Sequence, residues 1–201
     1  MLMNKTEFWL MNNPIRRASM RLEARKLRRM SPAQSLDRVL EIGSGEGQGT
    51  KNILRYWHPK AVDAIDLDPK MIARAKRRLK NKRVSFNVGD AANLSFAKDN
   101  TYDAIFDFGI IHHIPNWRDC LKELHRVLKP GGYLHIEDGS IEAFTRTAFG
   151  RFMKRILDHP YEQMYTKATF EAELAKLGFK LIEMDELSKV HMFWKVLQKP
   201  R

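Results

Sequence analysis

The sequence predicts an α/β protein built on a doubly wound, mainly parallel sheet. Three observations carry that prediction. From Arg38 onward, short β-branched runs alternate with amphipathic helical segments at the pitch of strand–helix–strand units. Glycines crowd the end of the first such run, at 43, 45, 47 and 49, where an open α/β sheet turns from strand to helix. The last two runs are joined by only a short turn around Ser188-Lys189, so that pair must be antiparallel.

Each element follows in order. Ile15 to Met30 is rich in helix formers, with Ile15, Ala18 and Leu22 on one face and arginines between them; Ser31-Pro32 stops it. Residues 1–36 read as a basic helical extension, and 37–201 as the main domain. VLEIG (39–43) is the first strand and Thr50 to Trp57 a helix. AVDAIDL (61–67) is the second strand. Asp68-Pro69 then supplies an N-cap and a proline at the first helical position, opening a helix through Lys80 whose buried stripe is Met71, Ile72, Ala75 and Leu79. VSFNV (84–88) and YDAIFDF (102–108) are strands. Arg118 to Leu128 is a helix, with Cys120, Leu121, Leu124, Val127 and Leu128 at helical spacing. Lys129-Pro130-Gly131-Gly132 reads as a helix stop and turn before a fifth strand, YLHIE (133–137). Residues 141–178 read as helical, with an insert over about 141–165. FKLIEMDEL (179–187) and HMFWKVL (191–197) close the sheet.

Composition narrows the class. With 43% hydrophobic and 30% charged residues in 201, the chain supports one packed core. No apolar run approaches the roughly 18 residues that span a bilayer, and Phe8 to Met11 is too short for a signal-peptide core. Cys120 is the single cysteine, which excludes an internal disulfide and a cysteine-cluster metal site. A cytoplasmic protein is the expectation. The net charge of +12 sits in two zones, +6 over residues 1–36 and +8 over 70–83, which suits anionic lipid, nucleic acid or an acidic substrate, and equally a solvated helix face.

Three strand ends carry polar groups suited to one ligand. In Glu41-Ile-Gly43-Ser-Gly45-Glu-Gly47-Gln-Gly49 the spacing is G-x-G-x-G, and Gln48 stands where a dinucleotide fingerprint places its third glycine. A carboxylate at Glu41 suits a ligand ammonium better than a pyrophosphate. Asp66 ends the second strand, where a carboxylate accepts hydrogen bonds from both ribose hydroxyls, or else caps a helix. Asp90, after the third strand, is placed to accept from an exocyclic amine such as adenine's, or simply to make a turn. An amino acid, a ribose and a base together describe S-adenosylmethionine.

The stretch from about Leu36 to Gly139 resembles the class I S-adenosylmethionine-dependent methyltransferases, most closely the small-molecule branch typified by ubiquinone and menaquinone biosynthesis enzymes. The motifs are VLEIGSGEGQGT (39–50), AIDLDPKMIARAK (64–76), VGDAANLSF (88–96), YDAIFDFGIIHHIPN (102–116) and VLKPGGYLHIED (127–138). The resemblance implies a seven-stranded Rossmann-like sheet of order 3-2-1-4-5-7-6 with strand 7 antiparallel. It implies that Glu41, Gly43, Ser44, Gly45 and Gly47 line the methionine moiety, Asp66 takes the ribose, Leu67 packs on the adenine, Asp90 and Ala91 read its edge, and Phe108 and Gly109 sit near the sulfonium. Asp107 departs from the family, which more often has Ser or Phe there.

Methyl transfer from a sulfonium is an in-line displacement that needs alignment and a dry site, and a general base when the acceptor must lose a proton. Asp107, His112 and His113 are the candidate bases, the two histidines not separable from sequence. Asp107, Glu137 and Asp138 also fall where some O-methyltransferases hold magnesium, but the rest of the chain does not resemble that branch and no metal is expected. The expected acceptor is a small molecule or lipid-like compound, with the basic extension folding over the cofactor pocket or touching an anionic membrane. Phe144, Phe149, Phe152, Met153, Tyr161, Met164 and Tyr165 of the insert are candidate acceptor-lining or helix-core residues. Two other readings are an RNA methyltransferase holding phosphates with its basic zones, and an inactive methyltransferase-like binding protein. The first lacks a Pro-Pro-Tyr-type motif, since Asp107-Phe108-Gly109-Ile110 stands in its place.

Overall fold

A computed structural model describes residues 13–156 and 160–201; Phe8–Met11 and the side chain of Phe149 fall outside the described residues. The strands are β1 (Arg38–Ile42), β2 (Ala61–Asp66), β3 (Val84–Val88), β4 (Tyr102–Phe108), β5 (Leu128–Gly139), β6 (Lys180–Leu187) and β7 (Met192–Gln198). They form one sheet of order β3-β2-β1-β4-β5-β7-β6. β1 pairs in parallel with both β2 and β4, and β7 runs antiparallel to both of its neighbours. This is the predicted order.

The helices are α1 (Pro14–Met30), α2 (Gln48–Tyr56), α3 (Pro69–Arg78), α4 (Trp117–Val127), α5 (Glu142–Thr145), α6 (Ala148–Met153) and α7 (Lys167–Lys176). Alternation along the strands divides the core into two layers. Val39 of β1 faces the layer shared with Leu27 of α1, Ile53 of α2 and Ala75 of α3. Leu40, one residue on, faces the layer of Leu121 and Leu124 of α4 and Phe170 of α7. The helices following β1 and β4 therefore lie on opposite faces, and the crevice between these two strands is the topological switch point, where ligands of such sheets bind.

Local chemistry fixes the element ends. Asp68 caps α3 by accepting from the Lys70 N–H at 2.8 Å, and Pro69 follows at the first position. α1 is capped by Asn13 and packs inward through Ala24, Leu27 and Met30. Its Ile15 and Leu22 point outward, 81% and 65% exposed. Its C-terminal end is tied to the sheet where Ser31 Oγ meets His135 Nε2 at 2.7 Å, under the edge of Trp57 and against Phe106.

Two segments differ from the sequence expectation. Lys129-Pro130-Gly131-Gly132 is not a plain turn but the irregular start of β5: the pairing shifts between Tyr102 and Ala104, and Lys199 exchanges backbone hydrogen bonds with Gly131 and Gly132 at 2.7 and 3.0 Å. A sequence window around Pro-Gly-Gly holds no sign of a partner seventy residues on. Among the described residues, the span 141–178 is helical in three pieces, α5 to α7. Thr147 caps α6, and Thr166 with Thr169 forms a capping box at α7, so two internal stop–start signals break the long helix.

Candidate active site

A cavity of about 210 Å³ opens at the carboxyl ends of β1, β2, β3 and β4. Its lining includes Gly43, Ser44, Gly45, Asp66, Leu67, Asp90, Ala91, Phe108 and Gly109, nine of the eleven residues expected to hold the cofactor. Gly43 and Gly45 adopt φ of +64° and +52°, a region that favours glycine. At Gly43 a Cβ would also lie 2.4 Å from Ile110 Cγ1, so the loops after β1 and β4 close against each other there. At Gly45 a Cβ would meet nothing within 4 Å, which leaves the backbone open to the cavity.

Asp66 organises the rim. Its Oδ2 accepts from the Gly45 N–H at 2.8 Å and its Oδ1 from the Asp68 N–H at 2.9 Å. Each oxygen keeps a further lone pair for a ligand hydroxyl. Burial raises the Asp66 pKa, and the two N–H donors work against that rise. Leu67 is 46% exposed beside it, an apolar side chain standing uncovered at the cavity wall. Asp90 Oδ1 is taken by the Ala92 N–H at 2.9 Å, so the residue makes a turn and also faces the cavity. Ser44 Oγ is buried and without a hydrogen-bond partner, a polar group left over by the protein's own contacts.

Glu41 and Gly47 do not line this cavity. Glu41 lies beneath the glycine loop, 1% exposed, and receives the Thr50 hydroxyl. A Cβ at Gly49 would come within 2.0 Å of Glu41 Oε1, so Gly49 is the space the carboxyl needs. Burial pushes Glu41 up to about 8. Gly47, at φ +86°, ends the turn and packs toward Phe86 and Ala75.

The three candidate bases separate. Asp107 is fully buried below the cavity floor. Its Oδ1 accepts from the Ile110 N–H at 2.9 Å, which pins the loop after β4, and burial together with the nearby Asp138 carboxylate holds its pKa well above the usual range. His112 turns its Nδ1 to Asp138 and donates its backbone N–H to the same carboxylate at 3.2 Å. His113 is the one that lines the cavity, its ring 4.1 Å from that of His112. Asp107 and Asp138 share one buried face of the sheet, whereas Glu137, by strand alternation, turns to the opposite face, toward α1. There Glu137 faces Arg16 at 3.5 Å, and burial, with the neighbouring Glu23 charge, raises its carboxyl.

Other lining residues are not singled out by the sequence, which places only the basic extension as a whole over the pocket or at an anionic membrane. Arg16, Arg17 and Met20 of α1 reach over the cavity. Arg17 pairs with Glu46 of the glycine loop at 2.8 Å, and Glu46 also meets Arg78. Partners 29 residues apart are set by packing, which no periodicity in the sequence reports. Ile110, Ile114 and Pro115 add apolar walls. None of the described side chains of 141–165 lines this cavity: Tyr165 is buried between Trp117 and Phe170, and Phe144 stands 6.3 Å from His112. Their aromatic and apolar character suited either an acceptor wall or a helix core; Tyr165 and Met164 are buried, whereas Phe152 is exposed.

Comparisons with known proteins agree with this geometry. Residues 40–136 match the methyltransferase domain model. A phthiotriol/phenolphthiotriol dimycocerosates methyltransferase of Mycobacterium tuberculosis is 36% identical over half of this chain and 37% of its own length. A fatty-acid O-methyltransferase of Mycolicibacterium smegmatis is 31% identical over 65% of this chain and 46% of its own. The chain thus spans less than half the length of these curated relatives. An Aquifex aeolicus S-adenosylmethionine-dependent methyltransferase superposes with a TM-score of 0.72 at 22% identity, covering 98% of both chains. A Haemonchus contortus phosphoethanolamine N-methyltransferase holding S-adenosylhomocysteine gives 0.70 at 22% identity, over 90% of this chain and 53% of its own. Sheet order and switch-point cavity are those of the class I S-adenosylmethionine-dependent methyltransferase fold, and residues 40–136 within it match the methyltransferase domain.

Proposed function

We propose that the protein transfers a methyl group from S-adenosylmethionine to a lipid-like acceptor. The observation that carries this is the convergence of Gly45, Asp66, Leu67 and Asp90 on one switch-point cavity, in the order amino acid, ribose, base. The residues fit the cofactor. Ser44 offers a buried hydroxyl that lacks a partner, Asp66 keeps lone pairs for the ribose hydroxyls, and Leu67 presents an uncovered apolar surface for a planar base. When bound, the cofactor supplies an electrophilic methyl group on a sulfonium.

The chain's own residues do the rest. The open backbone at Gly45 and the N-terminus of α2 receive the amino-acid end, with Arg17, paired to the Glu46 carboxylate, lining the same cavity. Phe108 and Ile110 form a dry wall at the reacting end, where exclusion of water strengthens every charge interaction. His113 is placed to take a proton from a hydroxyl acceptor; a carboxylate acceptor would need none. Asp107 and His112 hold the loop that carries His113 instead of meeting the acceptor. The lipid-like acceptor rests on the names of the mycobacterial relatives and on the apolar walls of Met20, Ile114 and Pro115.

Calorimetric titration of cofactor-stripped protein with S-adenosylmethionine, S-adenosylhomocysteine and NAD tests the reading, with Asp66→Ala alongside. Binding of the first two alone, lost in the variant, is the expected result. Binding of NAD, or no binding of any of the three, refutes it. A panel of fatty acids and long-chain alcohols then tests the acceptor; turnover of RNA with none of the panel methylated would overturn that part.

A further inference from the structure

We infer that the outward face of α1 is a docking surface for an anionic lipid bilayer. The helix has two faces. One carries Ala24, Leu27 and Met30 into the core and Arg16, Arg17 and Met20 over the cavity. The other, at the spacing of a single helical stripe, carries Ile15, Ala18, Leu22, Arg21, Arg25 and Arg29, all exposed. The sole acid of α1, Glu23, turns to the inner side, where it meets Arg16 at 2.5 Å. The outer face is therefore apolar in its first half and cationic in its second, with no anion among its residues.

That combination selects the partner. Ile15 at 81% exposure and Leu22 at 65% stand two helical turns apart on the same side, with exposed Ala18 between them, an apolar stripe rimmed by arginines. A phosphodiester chain of RNA would satisfy the arginines but leave both side chains wet. An anionic bilayer satisfies both sets, because apolar side chains enter the acyl boundary while guanidinium groups stay at the phosphates. The placement adds a second observation. The insert leaves β5 at the carboxyl edge of the sheet, where Arg16 meets Glu137, and it too exposes apolar side chains, Phe152 at 55% and Ile156 at 38%, among Arg151, Lys154 and Arg155. Both elements flank the end of the sheet on which the cavity opens. No helix among the described residues is long and apolar enough to cross a membrane, so the contact is with the surface. It depends on no assignment of cofactor or acceptor.

The test is co-sedimentation of the full chain with phosphatidylcholine vesicles, with and without phosphatidylglycerol, over a range of salt. The expected result is partitioning onto the anionic vesicles only, weakening as salt rises. Each arginine near an anionic surface is worth about fivefold in partitioning, so R21Q/R25Q/R29Q should lose about a hundredfold. I15S/L22S should bind more weakly than the unchanged protein at every salt concentration. Neither variant touches the cavity, and circular dichroism and the unfolding midpoint confirm that each is folded. Equal partitioning onto both vesicle types, or none, overturns the inference. So does RNA binding that is lost with the arginines but as tight in I15S/L22S as in the unchanged chain. Failure here leaves the calorimetric result untouched, and failure there leaves this one untouched.

Discussion

Replacing Glu41 by Gln should make the protein's stability respond differently to pH, and by an amount the structure sets. Glu41 sits under the glycine loop with its carboxyl against Gly49 and Thr50, and burial is the largest cause of its rise from the ordinary 4.5 to about 8. A group whose folded-state pKa is raised favours folding while protonated. That contribution is complete below the unfolded value of 4.5 and is lost as pH rises to about 8. The gap between the two values corresponds to roughly 5 kcal/mol. Gln is close to isosteric, keeps an acceptor for Thr50, and does not titrate. Urea unfolding of both proteins at intervals from pH 5 to pH 9 isolates the effect, because groups common to both cancel in the difference. The stability of E41Q minus that of the unchanged protein should climb by roughly 4 to 5 kcal/mol across that range and level off above about pH 8. A flat difference, or one that grows toward acid, would mean that Glu41 is ionised and partnered in the folded chain, and the reasoning would be wrong.

Three further outcomes follow from named contacts. Gly43→Ala should cost about 2–5 kcal/mol in urea unfolding, since it adds left-handed backbone strain to a 2.4 Å clash with Ile110; G43A/I110A should recover the steric share but not the strain. Ser31→Ala should lower stability by about 1–3 kcal/mol, read by thermal unfolding, because the buried His135 Nε2 loses its partner while the ring, held near 3 by burial, stays neutral. Arg16→Gln should destabilise by about 3 kcal/mol and Glu137→Gln by much less, measured from urea midpoints. The first leaves two carboxyls facing each other without a cation; the second removes a carboxyl that burial has already raised.

Most of the fold could be read from the chain because local and long-range signals agree. The Asp68-Pro69 start of α3, the stripe Cys120–Leu121–Leu124–Val127 of α4 and the short link before β7 each select one local arrangement, while the order of the seven strands followed from the family resemblance and is the order observed. The strand-end residues Asp66, Leu67 and Asp90 were legible for the same reason: a strand end in a doubly wound sheet has a known position relative to the crevice. The depth of a side chain was not legible. Glu41 and Asp107 stand next to the right loops in sequence, yet β-strand alternation and one glycine decide that both point into the interior. Which residues of the basic extension would reach the cavity could not be read either, because that arises from where α1 packs, set by Ala24, Leu27 and Met30, seven to fourteen residues beyond Arg16 and Arg17.

The two halves of α1 are held very differently. The second half is locked by core burial and the Ser31–His135 contact, whereas the first half meets the rest of the chain mainly through charged groups at the cavity rim. The helix is thus a lever with a fixed heel and a liftable toe. Entry and exit of a ligand need only the toe to rise, by loosening one or two turns, with the core undisturbed. Amide hydrogens near residues 16–20 should accordingly exchange by a low-energy local opening and slow when the cavity is filled, while those near 24–30 should exchange only with global unfolding, whether the cavity is filled or not.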